Sequence, residues 1–318
     1  MDDRELDEIF DDYKLNVAIK RGINKSTRRT ALISLLVVVA ALIVIFVANT
    51  AITLKLSNEM FEYNEANIKL HVPNGYISKS ADSIGFLMGR GEFTVARDIA
   101  GKPVALENRV SLFGLIPQFF ISRRGGIGSS GGEWTVDYWE NGYRKMIFYI
   151  PEIFYKEYRN DLDELDKISG DKLIELGLSF DKPYKVTDIP TILPNVKKSW
   201  YWVDAFRKDD LERYKQEASD NDGKATFIRE DEVLGVNAEG FSGNYFNGNY
   251  DDFLESLKTS KEAGYNEVYN ELVSKGYTDS SNVPILGAIV YGTKDELKPL
   301  IGNPHIKASS FGVVVYKY

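Results

Sequence analysis

The feature that most constrains this chain is an uncharged apolar run at residues 31–48, in which Ser34 is the one polar side chain. A helix that rises about 1.5 Å per residue needs roughly 20 apolar residues to cross the hydrocarbon core of a bilayer. Residues 49–54 begin with two polar side chains that an interface tolerates and then add further apolar ones. The run therefore predicts a transmembrane helix over residues 30–54.

Two other interpretations of the apolar run are open. A buried core helix is seldom apolar on every face for about five turns. A cleaved signal peptide usually has an apolar region of about 7–15 residues followed by a small-x-small cleavage site. Here the run is longer, and only a weak site lies around residues 48–51. We therefore favour an uncleaved membrane anchor.

The charges on either side of the run predict its orientation. Cytoplasmic flanks of membrane helices carry an excess of Lys and Arg. Lys55 is the one cation close behind the run, and Glu59, Glu62 and Glu65 follow it. The cations that precede the run, and that we expect to determine topology, are Lys20, Arg21, Lys25, Arg28 and Arg29. We expect a single-pass protein of the cell membrane with a cytoplasmic N-terminus and an extracellular C-terminal domain.

Composition limits the chemistry of this outer part. The formal net charge is −8, and residues 1–29 hold seven acidic and seven basic side chains, so the whole excess lies beyond them. An acidic outer domain argues against direct binding of nucleic acid. The chain has no cysteine, and His71 and His305 are its two histidines. Disulfides, thiolate metal sites and multi-histidine metal sites are therefore excluded, and we expect no metal and no cofactor.

The cytoplasmic segment, residues 1–29, predicts a short amphipathic helix at residues 2–21. Acidic residues lie near its start and basic residues near its end, as the helix dipole favours. A helix this short is marginal in water on its own, so its apolar stripe predicts a partner-binding surface. The alternative is a helix that lies on the inner leaflet. The stripe consists of Leu6, Ile9, Phe10, Tyr13 and Val17.

The region after the anchor predicts an α+β fold, with a strand-rich part at residues 55–150 and an α+β domain at residues 151–318. In the first part, strand patterns occur at residues 68–72, 134–139 and 143–150, the last two joined by an Asn-Gly turn. In the second part, helical spacing predicts a helix at residues 152–168 and one helix or two at residues 251–275, where Gly264 lies near the middle. Apolar runs predict strands at residues 172–180, 197–206, 283–292 and 311–318.

Residues with catalytic potential do not form a recognisable constellation. His71 lies in a strand pattern, and His305 is close in sequence to Ser309 and Ser310, but no nucleophile elbow surrounds either serine. The frequent carboxylate pairs belong to the polar face of a predicted helix. We therefore expect no enzyme and identify no small-molecule substrate.

The string SWYWVDAF (199–206) is the most distinctive of the outer domain. Aromatic residues that alternate along a strand usually pack in a core. The sharper hypothesis is a ligand groove formed by Trp200, Trp202 and Asp204.

Several strings resemble the sigma factor regulator family, the membrane-anchored anti-sigma factors of Gram-positive bacteria that act on extracytoplasmic-function sigma factors. The N-terminal region, YKLNVAIKRGINKSTRRTALISLLVVV (13–39), is similar to that of the family. The strings that resemble its C-terminal domain are LGLSFDKPYKVTDIP (176–190), SWYWVDAF (199–206) and LGAIVYGTKDELKPLIGNPHIKASSFGVVV (286–315).

The resemblance implies a one-span regulator whose inner segment holds a sigma factor and whose outer domain senses the state of the envelope. Many anti-sigma factors have a cytoplasmic domain of several helices, and some bind zinc through His and Cys. Residues 1–29 contain neither residue, which excludes a zinc-type domain. A short stripe buries little apolar surface, so the chain could instead be a sensing subunit beside a second membrane regulator. A further alternative is an anchored extracytoplasmic ligand-binding or envelope-associated protein without a transcriptional role.

Overall fold

The computed structural model describes residues 12–115, 127–129, 136–220, 227–238, 245–260 and 264–317. Its first element is one unbroken helix, α1 (Asp12–His71, 60 residues). At about 1.5 Å per residue this helix is about 90 Å long. It contains no proline and a single glycine, Gly22, so nothing in its sequence interrupts it. In the described part of the chain it is the one helix long and apolar enough to cross a membrane.

The helix joins segments that the sequence suggested were separate. The described half of the predicted amphipathic helix (2–21), the predicted transmembrane helix (30–54) and a further stretch up to His71 form one element. The first 11 residues lie outside the described part of the chain. The helix therefore continues for 17 residues (55–71) beyond the predicted transmembrane segment, and Ser57 in this continuation is buried against the rest of the described chain.

The predicted strand at residues 68–72 is wrong, because residues 68–71 form the last turn of α1. Their alternation has another cause. Ile68 and Val72 are buried in one hydrophobic cluster, and Leu70 is buried in a second one. The helix end is enclosed on two sides and therefore shows apolar residues on both. Pro73, which cannot donate a backbone hydrogen bond, follows it.

A three-stranded antiparallel sheet follows, with β1 (Gly75–Ile84), β2 (Met88–Ile99) and β3 (Lys102–Gly114) in sequential order. Its buried face, which includes Phe93, Val95 and Leu106, packs with the end of α1. Two short strands, β4 (Ile127–Ser129) and β5 (Val136–Tyr138), then pair with each other. Residues 75–114 are thus mostly strand, whereas residues 55–71 of the part expected to be strand-rich belong to α1.

The predicted hairpin around the Asn-Gly turn is shorter than expected. β5 covers three residues, and the returning arm contributes an isolated bridge between Tyr138 and Arg144 before β6 (Ile147–Phe148). The turn itself forms, since Trp139 N–H donates to the carbonyl of Tyr143 at 2.7 Å and Gly142 has φ +82°.

The C-terminal part is built on a five-stranded antiparallel sheet with the strand order β10-β8-β11-β7-β12. The elements are β7 (Lys172–Tyr184), α2 (Ile189–Ile192), β8 (Lys197–Val203), α3 (Lys208–Asp220), β9 (Ile228–Arg229), β10 (Gly235–Asn237), α4 (Tyr245–Thr259), α5 (Tyr265–Ser274), β11 (Ile285–Gly292), α6 (Lys294–Leu297) and β12 (Ile306–Tyr316). The predicted strands of this part are confirmed. The helical pattern at residues 251–275 corresponds to two helices, α4 and α5, and the second begins directly after Gly264.

Helices and loops cover both faces of this sheet. On one face α2, α4 and α5 pack over residues such as Leu176 and Leu178. On the other face β6, β9 and α3 pack over Trp200 and Trp202. The predicted α+β class is therefore confirmed.

The predicted helix at residues 152–168 is wrong over most of its length. Only a 3-10 helix, Asp161–Lys167, forms there. Tyrosine hydroxyls accept the preceding backbone N–H groups, Tyr155 from Ile150 at 3.1 Å and Tyr158 from Tyr155 at 3.0 Å. Local side-chain acceptors thus replace the helical carbonyls, and the apolar spacing reflects an aromatic cluster.

Candidate functional site

Burial along α1 begins where the apolar run ends. Every large apolar side chain between residues 32 and 47 is exposed, whereas Asn49 is half-buried and Thr53 and Ser57 are buried. Ser57 donates a hydrogen bond to the carboxylate of Asp82 on β1. We call the contact of residues 49–71 of α1 with the remainder of the described chain the helix seat.

The first contact of the helix seat is made by the Asn49 side-chain amide. Its Nδ2 donates to the carbonyl of Gly85 at 3.1 Å, and its Oδ1 accepts from the backbone N–H of Leu87 at 2.6 Å. Both partners lie in the turn between β1 and β2. One side chain therefore fixes that turn to the helix at the end of the apolar run.

The far end of the helix seat contacts both sheets. Ser111 of β3 donates to Asn64 at 3.1 Å. Leu70 is buried in the core under the five-stranded sheet, and His71 Nδ1 lies 3.0 Å from the backbone carbonyl oxygen of Asp231. A rotation or axial shift of α1 would therefore disturb the three-stranded sheet and the C-terminal part together.

Three charged side chains meet in the interior of the described chain, and we call them the buried ion cluster. Arg97 of β2 donates from one guanidinium nitrogen to Glu175 of β7 at 2.8 Å and from the other to Glu230, next to β9, at 2.6 Å. Their side chains are 0%, 2% and 0% exposed. Because the three residues belong to different parts of the chain, the cluster ties those parts together.

Further donors complete the coordination of the two carboxylates. Glu230 accepts from Trp139 Nε1 at 2.5 Å and from the backbone N–H of Met146 at 2.9 Å. Glu175 accepts from the backbone N–H of Val313 at 3.2 Å. Pairing and hydrogen bonds of this kind offset the cost of burying the charges, although the buried Nε of Arg97 has no hydrogen-bond partner in the described part of the chain.

The cluster holds one cation and two carboxylates, so its formal charge is −1 when both acids are ionised. Burial raises the pKa of the Glu230 carboxyl above its usual range; Arg97 opposes this rise, and Glu175 adds to it. A raised pKa means that the folded chain holds a proton on this group more tightly than the unfolded chain does.

The residues predicted to bind a partner are only partly described. Leu6, Ile9 and Phe10 lie outside the described residues. Tyr13 is 77% exposed and Val17 is half-buried on the first turns of α1. The predicted topology-determining cations, Lys20, Arg21, Lys25, Arg28 and Arg29, are all exposed on α1.

The two tryptophans of the predicted groove are buried. Trp200 and Trp202 are 1% and 0% exposed and lie in the core on one face of the five-stranded sheet, which is the packing interpretation of their pattern. Trp202 also borders a cavity of about 150 Å³. Asp204 is half-buried. Burial raises the pKa of its carboxyl above the usual range, and Lys275 and the backbone N–H of Phe206 reduce the size of this rise.

The histidines and serines considered for catalysis have structural partners. His305 Nδ1 lies 2.8 Å from the hydroxyl of Tyr184, so its hydrogen-bond partner is a tyrosine and not one of the two serines. Ser309 donates to the side-chain oxygen of Asn160 at 2.6 Å, and Ser310 accepts from the backbone N–H of Ile147 at 3.1 Å. Within the described ranges, no group of three or more His, Cys, Asp or Glu side chains is arranged to hold a metal ion.

The buried ion cluster was missed in the sequence, although its pattern was visible. Phe93, Val95, Arg97 and Ile99 share the buried face of β2, so Arg97 stands where the alternation calls for an apolar residue. Glu175 likewise interrupts a buried run on β7. A charge at a buried position of a strand was the available signal.

Comparison with known proteins gives two matches to family models. Residues 17–104 match the N-terminal model of the sigma factor regulators, and residues 165–313 match the C-terminal model. No curated protein and no solved structure matches the chain. Arg97 of the buried ion cluster lies in the first matched range, and Glu175 and Glu230 lie in the second. The chain therefore belongs to the sigma factor regulator family, which implies a regulator of the anti-sigma type with a sigma factor as its partner, and α1 gives it one helix suited to be a single-pass membrane anchor.

Proposed function

We propose that the chain is a membrane-anchored regulator of an extracytoplasmic-function sigma factor that responds to the state of the cell envelope. Its N-terminal segment would lie in the cytoplasm, as the basic flank at residues 20–29 favours, and the region after α1 would lie outside. The observation that supports this proposal best is the continuity of α1. One helix without a break joins Tyr13 and Val17, the described residues of the apolar stripe, to the helix seat at its end.

In this proposal the apolar stripe (Leu6, Ile9, Phe10, Tyr13 and Val17) covers a surface of the sigma factor. A change in the outer region would turn or shift α1 through the helix seat and alter the availability of the stripe. Such coupling requires two states of the chain that differ in their affinity for the sigma factor. A stripe of this size supports an affinity on the order of micromolar, once ordering costs are included. A second membrane regulator that holds the sigma factor more tightly is therefore compatible with the proposal.

The test is crosslinked affinity purification from membranes, with recovery of a sigma factor as the readout. The full chain is compared with a chain that lacks residues 2–13. A matched control is Asn16→Ala, which changes an exposed polar position of α1 and leaves the apolar stripe intact. Recovery by the full chain and the control, but not by the truncated chain, is the expected result.

Two other outcomes are informative. Equal recovery by all three chains together with another membrane protein would make this chain a sensing subunit. No sigma factor in any sample, with each chain present in the membrane at equal amount, would overturn the regulatory proposal. An anchored outer domain that binds a ligand without a transcriptional role would then remain.

The proposal also implies that the outer region senses and does not catalyse. His305 and Ser310, the residues closest to a catalytic pair in sequence, contact other partners. Hydrolytic activity of the full chain that is lost in both His305→Ala and Ser310→Ala would contradict this.

A further inference from the structure

The turn between β1 and β2 exposes an apolar surface that nothing in the regulatory proposal uses. Ile84, the last residue of β1, is 42% exposed, Phe86 in the turn is 61% exposed, and Leu115, just after β3, is 60% exposed. Leu115 N–H donates to the carbonyl of Leu87 at 2.9 Å, which places the end of β3 beside the turn. We call these residues, 83–89 together with Leu115, the hairpin tip.

The hairpin tip lies level with the end of the apolar run of α1. Asn49, which follows that run directly, holds Gly85 and Leu87 through hydrogen bonds of 3.1 and 2.6 Å. The run of 18 apolar residues covers about 27 Å, close to the roughly 30 Å of a hydrocarbon core. When α1 spans a bilayer, Asn49 is therefore at the interface, and the turn bonded to it is at the same depth.

The chemistry of the hairpin tip suits this depth. Residues 83–89, SIGFLMG, contain no charged side chain, whereas Asp82 and Arg90 stand on either side of them. Leu87 has φ +54°, a conformation that favours Gly or Asn in a turn and is unfavourable for a bulky residue. Leu87 is thus an apolar residue at a backbone position that Gly or Asn would occupy at lower energy.

We propose that the hairpin tip inserts Ile84, Phe86 and Leu115 into the lipid interface on the side of the membrane where the region after α1 lies. Exposed apolar patches mark sites of interaction, and the occupant here is the bilayer because Asn49 fixes the patch at its surface. The three-stranded sheet is then held by the membrane at two points, α1 and the hairpin tip. This inference requires that α1 crosses the membrane and does not depend on the sigma factor.

Because the natural chain has no cysteine, one introduced cysteine gives a unique site for a fluorescent label. The experiment uses the full-length Phe86→Cys chain, labelled with an environment-sensitive dye and reconstituted in vesicles of phosphatidylcholine and phosphatidylglycerol. The matched control is Ala100→Cys, in the opposite turn of the same sheet, about 40 Å away along β2. The quenchers are lipids with a nitroxide on the acyl chain and, separately, aqueous iodide.

We expect lipid nitroxide to quench the label at residue 86 and iodide to have little effect on it, with the reverse at residue 100. A label on Ile84→Cys should be quenched in the same way as the label on Phe86→Cys. The second position is included so that a local disturbance at one of them does not determine the result. Iodide quenching at residues 84 and 86 equal to that at residue 100 would overturn the proposal. Protection from both quenchers would also overturn it, since protein and not lipid would then cover the hairpin tip.

Discussion

Replacement of Arg97 by methionine tests the idea that the buried ion cluster joins the parts of the fold. Methionine keeps most of the length of the side chain and removes the charge. Glu175 and Glu230, which are 2% and 0% exposed, would then lose their shared cation at 2.8 and 2.6 Å. Removal of one partner of a buried ion pair lowers the free energy of unfolding by about 3–5 kcal/mol. Since whole domains are stable by about 5–15 kcal/mol, this is a large fraction of the total.

A matched control lies on the same strand. Arg90 of β2 forms an ion pair with Glu92 at 2.7 Å, but the two side chains are 54% and 59% exposed. Surface pairs of this kind contribute about 0–1 kcal/mol, so Arg90→Met should leave the free energy of unfolding nearly unchanged. The two variants make the same chemical change and differ in burial.

The assay is urea denaturation of the full-length chain in detergent micelles, followed by tryptophan fluorescence. Trp139, Trp200 and Trp202 are each at most 1% exposed, so their emission reports unfolding of the core. Glu175→Gln and Glu230→Gln in the Arg97→Met chain should recover part of the loss, because they remove the unpaired charges. A loss for Arg97→Met no larger than for Arg90→Met would refute the reasoning.

Three other expectations follow from the structure. Gly312→Ala would place a Cβ 2.7 Å from a carboxylate oxygen of Glu175 and should lower the free energy of unfolding by about 1–3 kcal/mol. Gly170→Ala, with open space around the new Cβ, should leave the free energy of unfolding unchanged in the same denaturation assay. Because burial raises the pKa of Glu230, the folded state binds its proton more tightly, so the contribution of this group to stability should fall as pH rises above about 4.3. Glu230→Gln should remove that contribution to the pH profile, and no difference between the two profiles would contradict this. Each alanine inserted after Arg29 turns the N-terminal segment by about 100° relative to the rest of α1. One or two inserted alanines should therefore change the activity of a sigma-dependent reporter, and four should return that activity towards its starting value. Equal effects at all lengths would argue against rigid coupling through α1.

The long helix shows where sequence patterns suffice and where they do not. The uncharged run identified the membrane-crossing part because lipid imposes a requirement on every face of a helix. The continuation to His71 was hidden, since its buried residues face two different partners and so mimic the period of a strand. Only knowledge of those partners could have distinguished the two interpretations.

The segment at residues 152–168 illustrates a second limit. Its apolar and aromatic residues occur at helical spacing, yet Tyr155 and Tyr158 accept backbone hydrogen bonds and stabilise an irregular path. Spacing indicates which residues could share a face, but it carries no information about hydroxyl groups that compete with the backbone. The strand patterns around Trp200 and along residues 283–292 predicted β8 and β11 correctly. Both strands lie inside the five-stranded sheet, where neighbouring strands pair with the backbone on both sides.

The position of the buried ion cluster bears on how such chains can be divided. Arg97 belongs to the part matched by the N-terminal family model, and Glu175 and Glu230 belong to the part matched by the C-terminal one. A fragment that begins after residue 150 would retain two carboxylates in its interior with no counter-ion. A chimera that joins the halves of two relatives would need the cation and both acids to be transferred together. The two halves are thus coupled through one buried site, although comparison detects them separately.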